Sequence, residues 1–142
     1  MERILGLVLS IPGLLLALTF HEFAHGYVAY LMGDNTAKYD GRLSLNPLAH
    51  MDLVGTLCLL FFHFGWAKPV PVNINNFKDR KKGIILVSLA GPFANFLLAI
   101  ICTVLYKLII VFAPSGAISD FLFLILYIAA TMNIGLMIFN LI

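Results

Sequence analysis

Two histidines and a glutamate stand together at His21-Glu22-Phe23-Ala24-His25, inside a long apolar run. In a helix, residues four apart share a face one turn apart, so His21 and His25 can reach one metal ion. Glu22 follows the first imidazole and can act as general base toward a water at that ion. Paired imidazoles with a carboxylate suit zinc, and the predicted chemistry is hydrolysis of a peptide bond. Ionisable side chains deep in an apolar segment are costly and usually functional. A cation offsets part of that cost by keeping the neighbouring carboxylate ionised. Catalytic zinc ordinarily takes three protein ligands. The motif supplies two, and His50, His63, Asp52, Asp120 and Asn140 remain open as a third. None has a local spacing that singles it out, and each has an ordinary loop or interface role available.

The elements that must position these residues are apolar. Of 142 residues, 61% are hydrophobic and 11% charged, and the mean hydropathy is +0.99. Soluble domains carry roughly 25% charged residues, so this composition calls for lipid as a solvent. A net charge of +2 gives no reason to expect a nucleic acid partner. Cys58 and Cys102 sit in apolar stretches with no short spacing between them, which predicts small buried apolar residues rather than a disulfide. The N-terminal run continues past any plausible cleavage point and carries the His-Glu motif itself, unlike a signal peptide.

A first span is expected over Ile4–Met32, long enough to cross a bilayer, with Pro12-Gly13 as a possible kink and Gly33-Asp34-Asn35 as its terminator. In the polar stretch 35–52, alternation around Asp40-Gly41 predicts a short hairpin. Leu53–Gly65 is apolar but short for a crossing, and reads as a re-entrant or interfacial piece. Trp66–Gly83 carries Lys68, Lys78, Arg80, Lys81 and Lys82 against Asp79. Within it, Val70, Val72 and Ile74 alternate as in an extended edge interrupted by Pro69 and Pro71. A second span is expected over Ile84–Ala113, then a short acidic turn over Pro114–Asp120, then a third span from Phe121. The fold class expected is an all-α membrane protein of about three transmembrane helices, with a short re-entrant or interfacial segment and small extended or β loop elements. Residues 1–142 would form one domain.

The basic residues set the orientation. The loop over residues 66–83 is strongly basic and the turn over 114–120 has no basic residue, so the positive-inside rule puts the former in the cytoplasm. A re-entrant Leu53–Gly65 then leaves the N-terminus outside and places His21 and His25 in the cytoplasmic half of the first span. A full crossing by that piece would put the N-terminus inside, which Arg3 favours.

With these residues in view, the sequence resembles the site-2 protease family of intramembrane zinc metalloproteases, in its short prokaryotic branch. The matching stretches are FHEFAHG (20–26), GRLSLNPLAH (41–50), Gly55-Thr56, FGWAKPVPV (64–72) and AGPFAN (90–95). The resemblance implies that His21 and His25 are zinc ligands and that Glu22 is the catalytic acid/base. It also implies a third ligand in an Asp-Gly motif after a segment that begins like Phe139-Asn140-Leu141. That aspartate has no counterpart before Ile142, so the expectation is a metalloprotease core domain incomplete at its C-terminal end.

Asn95 and Asn140 match positions in these motifs and are candidates for holding a substrate backbone or an oxyanion, against the ordinary reading of interhelical hydrogen bonds. Asn133 has the same two readings. Residues 70–74 are a candidate edge for β-augmentation by an unwound substrate. The implied partners are a transmembrane protein substrate and the lipid bilayer of a prokaryotic cytoplasmic membrane; nothing in the sequence sets an oligomeric state. Two other readings stay open. One is a non-catalytic module that binds transmembrane segments. The other is a membrane metal-binding or transport protein, for which the second and third spans offer few polar groups.

Overall fold

The computed structural model describes residues 2–62 and 66–141. Five α-helices run in chain order: α1 (Glu2–Leu31), α2 (Thr36–Tyr39), α3 (Leu53–Phe62), α4 (Arg80–Phe112) and α5 (Ala117–Phe139), with short 3-10 turns at Pro47–His50 and Ile74–Asn76. The chain divides into two compact units, residues 18–91 and residues 1–17 with 92–142.

The unit of residues 18–91 is organised by its helix ends. α1 stops in a Schellman motif. Gly33 takes φ +110°, its N–H donates to the Tyr30 carbonyl, and the Asp34 N–H donates to Ala29. The same closure recurs eight residues later. Gly41 takes φ +64°, with Gly41 N–H donating to Lys38 and Arg42 N–H donating to Ala37. Only glycine enters this left-handed region freely. The hairpin expected at Asp40-Gly41 therefore does not form. Asp34 Oδ1 accepts from both the Thr36 amide and the Thr36 hydroxyl, which starts a helical turn at α2, and Gly41 closes it. Local side-chain hydrogen bonds outcompeted weak alternation.

The expected extended edge over residues 70–74 forms no strand, and Ile74 instead opens the second 3-10 turn. Residues 67–73 run as a strap whose one ladder contact is an isolated antiparallel bridge, Met51 to Ala67, with Lys68 N–H donating to His50. Pro69 and Pro71 remove the donors that a ladder needs. The strap lies on α1 at Gly26, where a Cβ would stand 3.0 Å from Val70 Cγ1. The core of this unit is Ala29, Phe77 and Val87, with Val28, Met32, Val72 and Ile74 packed around it. α3 has ten residues, or about 15 Å at the helical rise, half of a hydrocarbon thickness. Asp52 caps it, its Oδ1 accepting from the Gly55 amide.

In the other unit, α1 continues as helix through Pro12 and Gly13. Gly13 permits close approach of α5, since a Cβ there would lie 3.3 Å from Ala129 Cα. Tyr106 and Phe123 meet edge to face at 5.6 Å. Asn133 is buried and its Nδ2 donates to the Ala129 carbonyl, while its buried Oδ1 has no partner among the described residues.

α4 and α5 are long and apolar enough to cross a membrane, and only 28% and 17% of their most apolar windows are buried. Helices apolar on all sides yet largely uncovered by protein fit a lipid environment rather than a soluble core. Cys58 and Cys102 are free, and both are half-buried rather than buried as expected.

Candidate metal centre

α1 is unbroken through residues 21–25, so His21 and His25 stack one turn apart. Their rings meet edge to face with centroids 4.6 Å apart, and their Nε2 atoms lie 3.0 Å from each other. Two imidazole nitrogens on one tetrahedral zinc would be separated by about 3.3 Å, given Zn–N bonds of about 2.0–2.1 Å. The pair is thus close to the separation that a shared ion requires.

The other ring nitrogen of His25 sets its tautomer. Nδ1–H donates to the Val87 carbonyl at 2.6 Å, which leaves the Nε2 lone pair for an ion, the usual role of such an outer partner. The Gly91 backbone hydrogen-bonds the His21 ring, and His21 itself is 5% exposed. α4 approaches the two rings at Gly91 so closely that a Cβ there would sit 2.5 Å from His21 Cε1 and Nε2 and closer still to His25 Nε2. At Gly91 that approach is made to the imidazoles themselves.

Glu22 turns toward the strap. Its Oε2 accepts the Val70 amide at 2.8 Å. A charged carboxylate with one oxygen engaged keeps the second for proton transfer.

The remaining candidates lie elsewhere. His50 is 2% exposed and its Nε2–H donates to the Ser44 carbonyl at 2.7 Å. Asp52 caps α3. Asp120 is in the first turn of α5. Asn140 closes α5, exposed, with Nδ2 on the Leu136 carbonyl. Asn95 is fully buried on α4. His63 lies outside the described residues. Among the described residues no group of three metal-ligating side chains assembles. The donor set here is the two imidazoles, which fit a divalent ion in spacing, with the His25 tautomer set for it, and which leave its remaining positions to other donors.

Two residues shape this region through contacts that local spacing does not reveal. Asp34, fully buried, accepts from Thr36 twice, from the Asn73 amide and from Asn76 Nδ2. Burial alone would push its carboxyl up, but the hydrogen bonds from Thr36, Asn73 and Asn76 outweigh that and hold it below its ordinary value. Arg42, 8% exposed, donates through Nη2 to the Lys68 and Pro69 carbonyls at 2.5 and 3.2 Å. Both act on residues some 26 to 42 positions away, where spacing rules have no reach.

Comparison with known proteins agrees with the motif reading. The chain is 52% identical over 88 residues to Putative zinc metalloprotease YwhC of Bacillus subtilis (strain 168), a match covering 62% of this chain and 40% of that protein. It is 37% identical over 100 residues to Putative zinc metalloprotease Rip2 of Mycolicibacterium smegmatis, covering 66% and 38%. The Rip2 protein of Mycobacterium tuberculosis is 34% identical over 98 residues. The matches thus cover about two fifths of the length of these curated relatives. No family model matches the chain, and no solved structure matches it significantly. The chain is a homologue of proteins named as zinc metalloproteases, consistent with membership of the site-2 protease family.

Proposed function

We propose that this chain is the core of an intramembrane zinc metalloprotease of the site-2 type, which hydrolyses peptide bonds in or near transmembrane segments of membrane proteins. The reading rests on the Nε2 pair of His21 and His25, 3.0 Å apart, with Glu22 in the same helical turn of a chain with bilayer-length apolar helices. α1 is the first of three spans, α3 is re-entrant or interfacial, and the basic loop over residues 66–83 faces the cytoplasm of a prokaryotic cell. The site then lies toward the cytoplasmic face, where water is near.

His21 and His25 hold the ion; Zn2+ held there supplies Lewis-acid polarisation of the scissile carbonyl. Glu22 takes a proton from the attacking water and returns it to the leaving amine. The Val70 amide fixes one carboxylate oxygen while this happens. Helix α4, through Gly91, closes one side of the pair against competing ligands. The substrate helix must unwind, and each backbone group left unsatisfied in lipid costs several kcal/mol. Asn95 and Asn140 are proposed to accept part of that exposed backbone. The strap is a poor edge for augmentation, because Pro69 and Pro71 offer carbonyls without N–H groups.

A module that binds transmembrane segments without cleaving them is the second reading, favoured by a donor set of two imidazoles among the described residues. One experiment separates the two: incubation of the protein, in detergent or liposomes, with a model membrane substrate. Glu22→Gln should abolish cleavage while leaving zinc content at the wild-type level. Equal cleavage by that variant would refute the protease role of Glu22.

A further inference from the structure

We propose that Arg42 is a positioning residue for Glu22, acting through the strap backbone at residues 68–70. The inference rests on the protease reading of Glu22. Three contacts form a continuous chain. Arg42 Nη2 donates to the carbonyls of Lys68 and Pro69. The next peptide N–H, that of Val70, donates to Glu22 Oε2 at 2.8 Å. Glu22 stands beside His21 in α1.

The strap is built so that this one amide matters. Pro69 and Pro71 have no N–H, so Val70 carries the single donor between them. Lys68 and Val70 each precede a proline and are thereby biased toward extended backbone. The strap is stiff but cannot be held by a ladder, and its position depends on its ends. At one end stands Arg42, beside the Lys68 N–H bond to the His50 carbonyl. At the other, the Asn73 amide donates to Asp34 Oδ2 at 2.7 Å. Pinned on both sides of Val70, the strap places a fixed dipole on one oxygen of the general base.

Arg42 is itself seated from below. Its own N–H closes the Schellman motif on Ala37, which depends on the positive φ of Gly41. One guanidinium nitrogen reaches two successive carbonyls. A lysine ammonium has protons for both carbonyls but carries them on a flexible stem without the fixed plane of a guanidinium. The side chain is 8% exposed, so a solvated charge on the surface does not account for it. Position 42 therefore governs the rate of the chemical step and leaves metal and substrate affinity alone.

The test has an arm independent of activity. In metal-free protein labelled with 15N-valine, hydrogen exchange of the Val70 amide is measured in wild type, Arg42→Gln and Arg42→Lys. Arg42→Gln should speed that exchange at least roughly tenfold, with Arg42→Lys between it and wild type. In the zinc-loaded protein, Arg42→Gln should lower kcat about tenfold to a hundredfold, as loss of an outer-shell partner does, with KM and zinc content unchanged. Replacing Val70 by its α-hydroxy acid, which deletes the N–H and turns the Pro69 carbonyl into a weaker ester acceptor, should reproduce the loss, and Arg42→Gln added to it should lower kcat no further. Unchanged Val70 exchange in Arg42→Gln, or losses that multiply in the combined variant, would overturn the proposal. Should Arg42→Gln fail to fold, a Val70 α-hydroxy acid protein with wild-type kcat overturns it equally. A Glu22→Gln protein that still cleaves would instead sink the protease reading, while the exchange arm still decides whether Arg42 holds the amide.

Discussion

Gly91→Ala adds one methyl group at the point where α4 meets the paired imidazoles. Alanine favours a helix interior over glycine by about 1 kcal/mol, so secondary structure alone predicts a neutral or stabilising change. The site predicts the opposite. The new Cβ would lie 2.5 Å from His21 Cε1 and Nε2, where ordinary van der Waals contact begins near 3.4 Å. One partner must yield by about 0.9 Å, several times the ±0.2 Å tolerated in metal–ligand distances. The rings cannot swing away freely. His25 is tied to the Val87 carbonyl through Nδ1, and His21 to the backbone of Gly91 itself. Either the Nε2 pair separates or α4 retreats and carries Val87 with it. Both outcomes break the ion site, and zinc affinity should fall by roughly a hundredfold, the upper end for loss of a supporting partner. Competition titration against a chelator in detergent measures the affinity, with circular dichroism checking that helix content is kept. A Gly91→Ala protein that binds zinc within threefold of wild type would show that α4 does not press on the pair as described.

Asp34→Ala removes an acceptor of four hydrogen bonds and leaves the Asn73 amide unpaired. Bonds to a charged group are worth about 1.5–3 kcal/mol each and do not add fully, so a loss of about 3–5 kcal/mol is expected by chemical denaturation, with exchange rising first at Thr36 and Asn73. Because the Asp34 carboxyl is held below its ordinary 3.8, the stability it contributes is complete above that value and drains away as pH falls through the lower folded one; a pH series in wild type and Asp34→Ala should differ most above pH 4 and converge in stronger acid. Gly33→Ala forces a side chain into φ +110° with its Cβ 3.0 Å from the Asn76 carbonyl, for a loss of about 2 kcal/mol. Gly41→Ala, with open space around it, should lose about 1 kcal/mol, and a larger loss there than at position 33 would contradict the geometry.

Much of the site could be read along the chain, because its signals are local. The i, i+4 imidazoles, the adjacent carboxylate and the glycine that ends α1 are all set by helical repeat and backbone sterics, which act over a few residues. The long apolar helices α4 and α5 follow from composition in the same way. The hairpin expected at Asp40-Gly41 failed on a contest between two local signals. Weak alternation favoured strands, whereas the Asp34 carboxylate captured Thr36 and a second glycine closed a helical turn. His50 and Asp52, open as ligands on residue type, proved to be a carbonyl partner and a helix cap.

By itself the sequence determined which residue types could grip a cation and which segments need lipid around them, since both depend on side-chain chemistry and short-range periodicity. Tertiary structure decided which tautomer His25 adopts, what presses on the two rings and what orients Glu22. Val87, Gly91, Val70 and Arg42 do this from helices and loops 20 to 70 positions away in the chain. Hydrogen bonds and van der Waals contacts have no preference for sequence distance. Only the packing of α4 and the strap onto α1 brings those groups within the few ångströms over which they act.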